Sequence, residues 1–521
     1  MISMGKGKIL KTSLQVGLIV LMIKALGLVK QSIIAGVCGA TYETDLYFLS
    51  SGFITQLCVV IFSAITVSLL SIYVEKLNKE GRNKADSLIN STLRIIIPFS
   101  VLVAIVCIAL APILSKLLAP SYNENEIQEL TRFIRILSVI FVTNAYFLTL
   151  NVVLEANKMM LSGKMLSLMQ NLFVIIFAII LYKKIGISAL LYSLIIANII
   201  SCIYISIRAR KYLKISFRAV FCKKEVLRVM KLMLPLLIGN AMYEINDIVD
   251  KQIASNLAYG TVSYLTYGTS LNEIVTSLVI TTVSSVLFVN YASWVSEGHN
   301  ESVSNGLMSS LSGLTFILLP ITGMIIIFRN DIVSIVYGRG AFSNNDIIET
   351  GFVVLGYSFG FLGQAFRANI VKVFYAYKET KIPMINGIIS VAINIGLSYW
   401  FASFMGVSGV ALATSIAMTI SSIMLLILLR RYFVITNIKI HLLNYFKLII
   451  SFVISTCICY LFSYIYKGIS ILRILFGCSM CLFFYISSCY VIKENNVAFL
   501  EGRIKNGINK DSVSKERNSS L

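Results

Sequence analysis

The stretch that decides the fold is residues 20–48, which read VLMIKALGLVKQSIIAGVCGATYETDLYF. It comprises the end of one apolar run, a short turn and the start of a second run. Lys24 and Lys30 lie inside the first run, and Asp45 opens the second. A charged side chain inside a bilayer costs roughly 2.5 to 3.5 kcal/mol on insertion scales, so it usually faces a protein-lined cavity. The stretch therefore predicts two membrane-spanning helices beside a charged cavity.

The composition also predicts a membrane protein. The 521 residues are 57% hydrophobic and 13% charged, whereas soluble domains average about 25% charged residues. A net charge of +21 would favour nucleic-acid binding in a soluble protein. In a membrane protein, lysine and arginine collect in the cytoplasmic loops, and this explains the charge better. We therefore expect a polytopic membrane protein that does not bind nucleic acid.

Apolar runs of about 20 residues predict membrane-spanning helices. About fourteen such runs occur, at 13–37, 45–74, 91–118, 130–156, 160–182, 187–209, 229–256, 261–290, 304–328, 345–377, 382–403, 406–429, 442–465 and 470–492. The termini and the loops assigned to the cytoplasm hold 30 of the 45 Lys and Arg residues, and the opposite loops hold 6. This asymmetry predicts an even number of spans with both termini in the cytoplasm.

An internal repeat divides the chain. The sequence GISALL from Gly186 precedes a span that ends in Arg-Lys-Tyr at 210–212, and GVSGVA from Gly406 precedes one that ends in Arg-Arg-Tyr at 430–432. The offset is 220 residues, and Lys158 and Lys378 keep it in the preceding turns. Such parallel repeats form two lobes with a site at their interface.

The repeat predicts five segments, each with its own character. They are an N-terminal six-helix lobe at 1–212, a basic interfacial linker at 213–228, a second six-helix lobe at 229–432, an extra helix pair at 433–493, and a polar cytoplasmic tail at 494–521. The basic, aromatic-containing sequence over 210–231 is typical of a helix on the anionic leaflet. The tail lacks the apolar residues that a span requires.

Charges recur in the second lobe. Its first helix contains Glu244, Asp247, Asp250 and Lys251, with Asp247 and Lys251 four residues apart on one helix face. These two residues either form an internal ion pair or face the cavity. Beyond them, the tenth span carries Arg367. A cavity lined by Lys24, Lys30 and Arg367 would attract an anion such as phosphate, which lysine meets as a point charge.

The sequence contains no motif that predicts an enzyme, and no catalytic or cofactor-binding residues are expected. A Walker A sequence is absent, and with only two histidines no zinc site is expected. A transporter without a nucleotide domain would use an ion gradient, the membrane potential or the disequilibrium of its substrate. A membrane glycosyltransferase would instead need a large outward loop with acidic or histidine residues, and every outward loop assigned here is short.

Motifs at residues 338–394 resemble those of the MurJ/MviN family of lipid II flippases, in the multidrug/oligosaccharidyl-lipid/polysaccharide exporter superfamily. They are GRGAFS from Gly338, YSFGF from Tyr357, FYAYKETKIP from Phe374, and Asn394. The stretch at 20–48 is similar to the family's pattern too, and the resemblance covers about 13–432. The resemblance implies a V-shaped, two-lobed, all-helical transporter. Members of the family flip an undecaprenyl-pyrophosphate-linked saccharide across the bacterial cytoplasmic membrane by alternating access.

The resemblance implies roles for individual residues. Lys24 and Lys30 stand where the family has substrate-binding arginines, while Asp45 and Glu273 match acidic positions. With Arg367 these form the expected substrate site. Other matches, to positions that bind sodium in some relatives, are Asp250, Asn394 and Thr414. The implied partners are the lipid-linked saccharide, membrane lipids and cell-wall synthesis proteins, with Na⁺, H⁺ or the membrane potential for coupling.

The departures from the family pattern concern the cationic residues. Lysine replaces both arginines at 24 and 30, which keeps the charge and loses bidentate recognition of pyrophosphate. The arginine expected in the second helix falls near Cys58, and the one expected before Glu273 falls at Ser270. Lipid II is the leading substrate. A capsule or exopolysaccharide precursor and, less favoured by the charges, export of small organic cations are the alternatives.

Overall fold

The computed structural model describes residues 6–159, 161–215, 220–434, 438–466, 468, 470–494 and 496. Every regular element in these ranges is a helix. The helices are α1 (Lys6–Cys38), α2 (Tyr42–Glu80), α3 (Arg82–Leu118), α4 (Glu124–Leu137), α5 (Ile140–Ala156), α6 (Met165–Ile180), α7 (Tyr182–Ile185), α8 (Ser188–Ala209), α9 (Lys223–Ser255), α10 (Thr261–Val275), α11 (Thr282–Ser296), α12 (Asn300–Tyr337), α13 (Asn344–Ser358), α14 (Phe361–Ala376), α15 (Lys381–Met405), α16 (Val407–Leu429), α17 (Ile438–Ile465) and α18 (Ser470–Val491).

Each of the fourteen predicted runs overlaps at least one of these helices, which confirms the all-helical membrane fold. Residue 160, at the start of the fifth run, lies outside the described residues. Three runs contain a break that hydropathy did not indicate: α4 ends before α5, a π-helical segment at Thr276–Thr281 joins α10 to α11, and α13 meets α14 at 41°. Sustained hydropathy reports burial in a membrane and is insensitive to such local changes of helix geometry.

The count of fourteen spans is not confirmed. In the described part of the chain, twelve helices are long and apolar enough to cross a membrane, or thirteen if the bent pair α13 and α14 counts as one. The predicted run at 229–256 lies in α9, which is not among them. Its 33 residues would extend about 50 Å, but its second half carries Glu244, Asp247, Asp250 and Lys251, which lower its hydropathy.

Two turns repeat their backbone conformation at the 220-residue offset. Lys158 and Lys378 have φ values of 65° and 60°, in the left-handed region that costs a non-glycine residue about 1 to 2 kcal/mol. Each ends a helix in the same way, because the next residue donates to a carbonyl five positions back, at 2.9 Å in both turns. Gly186 and Gly406 also match, at 61° and 64°. These shared conformations support the repeat, whereas the domain boundaries stay a prediction.

The chain packs as two compact units. The first comprises Met1–Ser270, Tyr337–Ile347 and Ala402–Val407, and the second Leu271–Val336, Ile348–Phe401 and Ser408–Leu521. Packing thus places α9 with α1 to α8, whereas the repeat assigns 229–432 to the second lobe. Within the first unit, α2 is central and packs against both α5 and α9.

The extra helix pair belongs to the second unit and packs on α12. Two apolar clusters join them, one around Leu319, Leu448 and Tyr485 and the other around Phe328 and Cys481. Polar contacts mark both ends of the pair. Asn444 donates to Ser312 Oγ at 2.8 Å, and Arg473 lies 3.6 Å from Asp331.

The predicted linker at 213–228 is described only in part, because 216–219 lie outside the described residues. The described flanks at 211–215 and 220–222 are not helical, and α9 already begins at Lys223. A separate interfacial helix is therefore absent from the described part. The first turns of α9 instead pair with the end of α2, where Glu225 binds Lys76 and Arg228 binds Glu75. The tail from residue 497 lies outside the described residues.

Candidate functional site

The two predicted substrate-binding lysines lie in the second half of α1, within the first unit. Lys24 is exposed and Lys30 is half-buried, and six residues separate them by about 9 Å along the helix. Helix α6 supports this segment: Asn171 donates from Nδ2 to the carbonyl of Ile23 at 3.3 Å and lies beside Gly27. The cationic stretch therefore lies on a helix that neighbouring packing holds in place.

Asp45 is completely buried in the first turn of α2. Its Oδ1 accepts from the backbone N–H of Ser263 at 2.8 Å and from the hydroxyl of that residue at 2.6 Å. Its Oδ2 accepts from the N–H of Gly260 at 2.7 Å and from Tyr122 Oη at 3.4 Å. The carboxylate thus caps the N-terminus of α10, where backbone N–H groups otherwise lack partners. The prediction that Asp45 binds substrate stays untested, and the geometry gives the carboxylate a positioning role.

The RGAF motif lies against the end of α1. Ala341 donates its N–H to the carbonyl of Gly36 at 2.8 Å, and Arg339 donates to Ser32 Oγ. Gly340 has φ 60°, and Gly39 has φ 70° with a carbonyl so near that an added Cβ would lie 2.8 Å from it. Glycine is required at these positions because the backbones approach closely in left-handed conformations.

The residues that join the end of α1, the first turn of α2, the start of α10 and residues 337–347 form what we call the helix-end cluster. They are Ser32, Gly36, Gly39, Asp45, Gly260, Ser263, Tyr264, Tyr267, Tyr337, Arg339, Ala341 and Asp346. Its three tyrosines add further hydrogen bonds. Tyr267 donates to the carbonyl of Gly39 at 3.1 Å, Tyr337 to the carbonyl of Tyr267 at 3.0 Å, and Tyr264 to Asp346 Oδ1 at 2.8 Å. The cluster joins residues of the two predicted lobes, all within the first compact unit. The sequence did not indicate this cluster, because its contacts join residues far apart in the chain and no local pattern specifies them.

A second connection within the first unit joins the first half of α2 to the second half of α9. Lys251 Nζ is 2.8 Å from Asp247 Oδ2, and Gln56 of α2 donates to the same carboxylate. The sequence left two interpretations open for Asp247 and Lys251, an internal ion pair or two side chains that face the cavity. The structure confirms the ion pair. Asp247 is therefore engaged by protein groups on two helices.

A double-mutant cycle on Asp247→Asn and Lys251→Met is expected to give a coupling free energy of about 1 kcal/mol. The value is modest because the Asp247 side chain is 40% exposed and solvent screens the pair. Unfolding of the four proteins in detergent measures it. Additivity within about 0.3 kcal/mol would contradict the pairing.

The three residues of the predicted sodium site belong to different units. Asp250, in the first unit, is 4% exposed and accepts from Asn246 Nδ2 at 3.1 Å. In the second unit, Asn394 is 3% exposed and donates to Thr414 Oγ1 at 2.9 Å. Its Oδ1 has no hydrogen-bond partner among the described residues. A buried, unpaired amide oxygen suits a hard cation, so the residue types fit, and the site stays a prediction.

The remaining two predicted substrate residues lie in the second unit. Arg367 of α14 donates from Nε to Ser421 Oγ of α16 at 2.9 Å, and its guanidinium lies beside Gly387 of α15. It therefore contributes to the packing of three helices. Glu273 is exposed near the end of α10, three residues before the π-helical segment. Such segments frequently occur at functional sites.

Solved structures share this fold. A chain described as "Lipid II flippase MurJ, inward closed conformation" matches with a TM-score of 0.79 and 22% identity, over 92% of this chain and 99% of that one. An inward-facing multidrug resistance MATE family transporter of the MOP superfamily matches with a TM-score of 0.67 and 14% identity, over 78% and 94%. These likenesses show a multi-span, all-helical membrane fold.

The sequence comparisons specify the family. Residues 34–477 match the family model described as "Lipid II flippase MurJ", and the chain belongs to this family. A probable lipid II flippase MurJ of Treponema pallidum (strain Nichols) is 25% identical over 50% of this chain and 53% of its own length. One from Buchnera aphidicola subsp. Schizaphis graminum (strain Sg) is 24% identical over 80% and 82%. The chain spans about half or less of the length of the first three curated relatives, at 53%, 43% and 37%.

Proposed function

We propose that this protein moves a polyprenyl-pyrophosphate-linked saccharide, specifically lipid II, from the inner to the outer leaflet of a bacterial cytoplasmic membrane. The observation that carries the proposal is the family match over residues 34–477. The two lysines in the second half of α1 support it, because a cation inside a membrane helix is retained where it meets substrate or ions. The charge asymmetry of the loops supports cytoplasmic termini.

In this proposal Lys24 and Lys30 bind the pyrophosphate. An ammonium group is a compact charge with three donors, so two lysines can satisfy several phosphate oxygens without the fixed geometry that arginine imposes. Arg367 and Glu273 complete the site on the second lobe.

Alternating access requires that the helix-end cluster open and close. The cluster consists of hydrogen bonds and glycine contacts between the α1–α2 turn, the start of α10 and residues 337–347. By the predicted orientation these lie at the outer side. A few hydrogen bonds of about 1 kcal/mol each form a barrier that substrate binding can offset. Release to the outer leaflet would then follow separation of these helix ends.

The test is rescue of bacteria depleted of their own lipid II flippase. Expression of this chain is expected to restore growth and cell shape, because lipid II again reaches the outer leaflet. Failure of a correctly inserted protein to rescue growth, together with rescue of a strain that lacks a capsule-precursor flippase, would assign the alternative substrate.

We further propose that a cation couples to transport through Asp250, Asn394 and Thr414. Asp250→Ala is then expected to abolish stimulation of flipping by a sodium gradient while leaving the basal rate within about twofold. Flipping measured in sodium and in potassium buffers tests this. Asp247→Asn, on the same helix, is the matched control. An unchanged sodium response in the Asp250 variant would remove the site.

A further inference from the structure

A groove of about 370 Å³ lies between α5 and α8 on the first unit, within the size range of small-molecule sites. Thr143 of α5 and Cys202 and Ser206 of α8 line its floor. Their polar atoms already have partners, since Ser206 Oγ lies 2.7 Å from Tyr146 Oη and Cys202 donates to the Thr143 carbonyl at 3.3 Å. An occupant of this floor therefore has no polar group to satisfy and is itself apolar.

The rim of the groove is apolar and exposed. Ile199, Ile203 and Ile207 follow one another at four-residue intervals on α8 and are 43%, 54% and 61% exposed. Residues with this spacing lie on one face of a helix. On a membrane-spanning helix such a face contacts lipid chains, so the groove is open to lipid.

One end of the groove is cationic. Arg210 lines it directly after the end of α8. Its side chain is exposed, and among the described residues it makes no ion pair and no side-chain hydrogen bond. Arg208 and Lys211 lie beside it in the sequence, each over a tyrosine ring. By the predicted orientation this end faces the cytoplasmic leaflet, whose anionic headgroups attract each basic residue by about 1 kcal/mol.

In the second repeat, the helices that correspond to α5 and α8 are α14 and α16, and these two pack in direct contact. At the 220-residue offset, Ile140 and Thr143 of α5 correspond to Gly360 and Gly363. A Cβ at Gly360 would lie 2.8 Å from Ser415 Cα, and one at Gly363 would lie 2.7 Å from Thr419 Cα. Glycine thus allows α14 and α16 to touch, as small residues do in membrane helix pairs. In the first repeat the larger side chains of Ile140 and Thr143 occupy these positions, and Thr143 lines the groove.

We propose that the groove binds an anionic phospholipid of the cytoplasmic leaflet, with its phosphate at Arg210 and one acyl chain between α5 and α8. The apolar floor and rim fit the chain, and the exposed guanidinium fits the phosphate. Cys202 is half-buried in the groove, whereas its counterpart Ser422 is 3% exposed under the closed helix pair. The site is therefore a property of the first repeat alone and is independent of the substrate.

The test uses the purified full chain and native mass spectrometry with phosphatidylglycerol and phosphatidylcholine of identical acyl chains. The wild type is expected to retain phosphatidylglycerol preferentially. Arg210→Ala should weaken that retention about fivefold, the equivalent of one basic residue, and leave phosphatidylcholine unchanged. Arg430→Ala, at the same position of the closed repeat, is the matched control and should have no effect.

Two further measurements test whether the acyl chain of the lipid, and not the phosphate alone, contributes to binding. Thr143→Leu, which fills the groove while Arg210 remains, should also lower retention of phosphatidylglycerol. Excess glycerol 3-phosphate, which carries the phosphate without chains, should not displace the lipid. Equal losses in the Arg210 and Arg430 variants, full retention by Thr143→Leu, or displacement by glycerol 3-phosphate would each overturn the assignment. Arg210 is exposed, so its variant is expected to fold normally.

Discussion

Replacing Lys24 or Lys30 with alanine is expected to reduce lipid II flipping at least tenfold, and replacing both should abolish it. Each ammonium group is assigned to the pyrophosphate, and a charged hydrogen bond contributes about 1.5 to 3 kcal/mol, or roughly ten- to a hundredfold. Neither side chain is buried in the core, so both variants should accumulate in the membrane as the wild type does. Rescue of flippase-depleted cells and binding of lipid II to the purified variants measure the effect.

Conservative replacement distinguishes charge from geometry at the same positions. Lys24→Arg and Lys30→Arg keep the charge and add bidentate recognition, so both should retain flipping. Lys116→Ala removes one charge from an exposed position on α3 and serves as the control. Wild-type flipping by both alanine variants would refute their role in binding, and equal loss in the Lys116 variant would indicate a general effect of charge on insertion.

Asp45→Ala is expected to destabilise the protein by about 3 kcal/mol and to abolish flipping, while lipid II still binds. The carboxylate accepts four hydrogen bonds in a fully buried position. Its removal leaves buried donors of Gly260 and Ser263 without partners, at about 1 to 3 kcal/mol for each unsatisfied group, and removes the cap of α10. Thermal unfolding in detergent and a lipid II binding assay measure the two effects separately.

The neighbouring Glu43→Ala provides the control for Asp45. Glu43 is half-buried and lies two residues before Asp45, so this variant also removes one negative charge. The free energy of unfolding should change by no more than about 0.5 kcal/mol. Asp45→Asn is the stricter variant, because its amide presents a donor where the N–H groups of Gly260 and Ser263 require an acceptor. Loss of lipid II binding at unchanged stability would instead identify Asp45 as a substrate ligand.

Much of the fold could be predicted because membrane helices impose a simple constraint. About 20 apolar residues are needed to cross the bilayer with every backbone group paired, and each of the fourteen such runs overlaps a helix. Hydropathy carries no information on where a helix bends or on π-helical turns, so the breaks after Leu137 and near Thr276 were missed. The number of spans was harder to predict than the positions of the helices, because the charged residues of α9 lower its hydropathy.

The role of Asp45 shows why the site was only partly predictable. A charge in an apolar run indicates that something must compensate it, and the sequence therefore pointed to this residue. The compensating donors are Gly260 and Ser263, more than 200 residues away, and no local pattern specifies them. The tyrosines of the helix-end cluster were missed for the same reason, because Tyr267 and Tyr337 bond to backbone carbonyls that any residue carries.

The α5–α8 groove was, in contrast, encoded in the sequence and overlooked. The repeat aligns Gly360 and Gly363 with Ile140 and Thr143, and such an exchange of small for large residues predicts a wider helix spacing. The difference between the two halves at these positions therefore predicts space in the first half where the second is closed.

Flipping of lipid II in reconstituted vesicles tests the central claim most directly. The purified chain is inserted into liposomes that contain fluorescent lipid II, and a membrane-impermeant quencher reports the fraction in the outer leaflet over time. Vesicles with the wild type should exchange lipid II between leaflets much faster than protein-free vesicles, and those with the Lys24→Ala, Lys30→Ala double variant should not. Exchange at the protein-free rate by folded wild-type protein, with or without a sodium gradient or membrane potential, would contradict the proposed function.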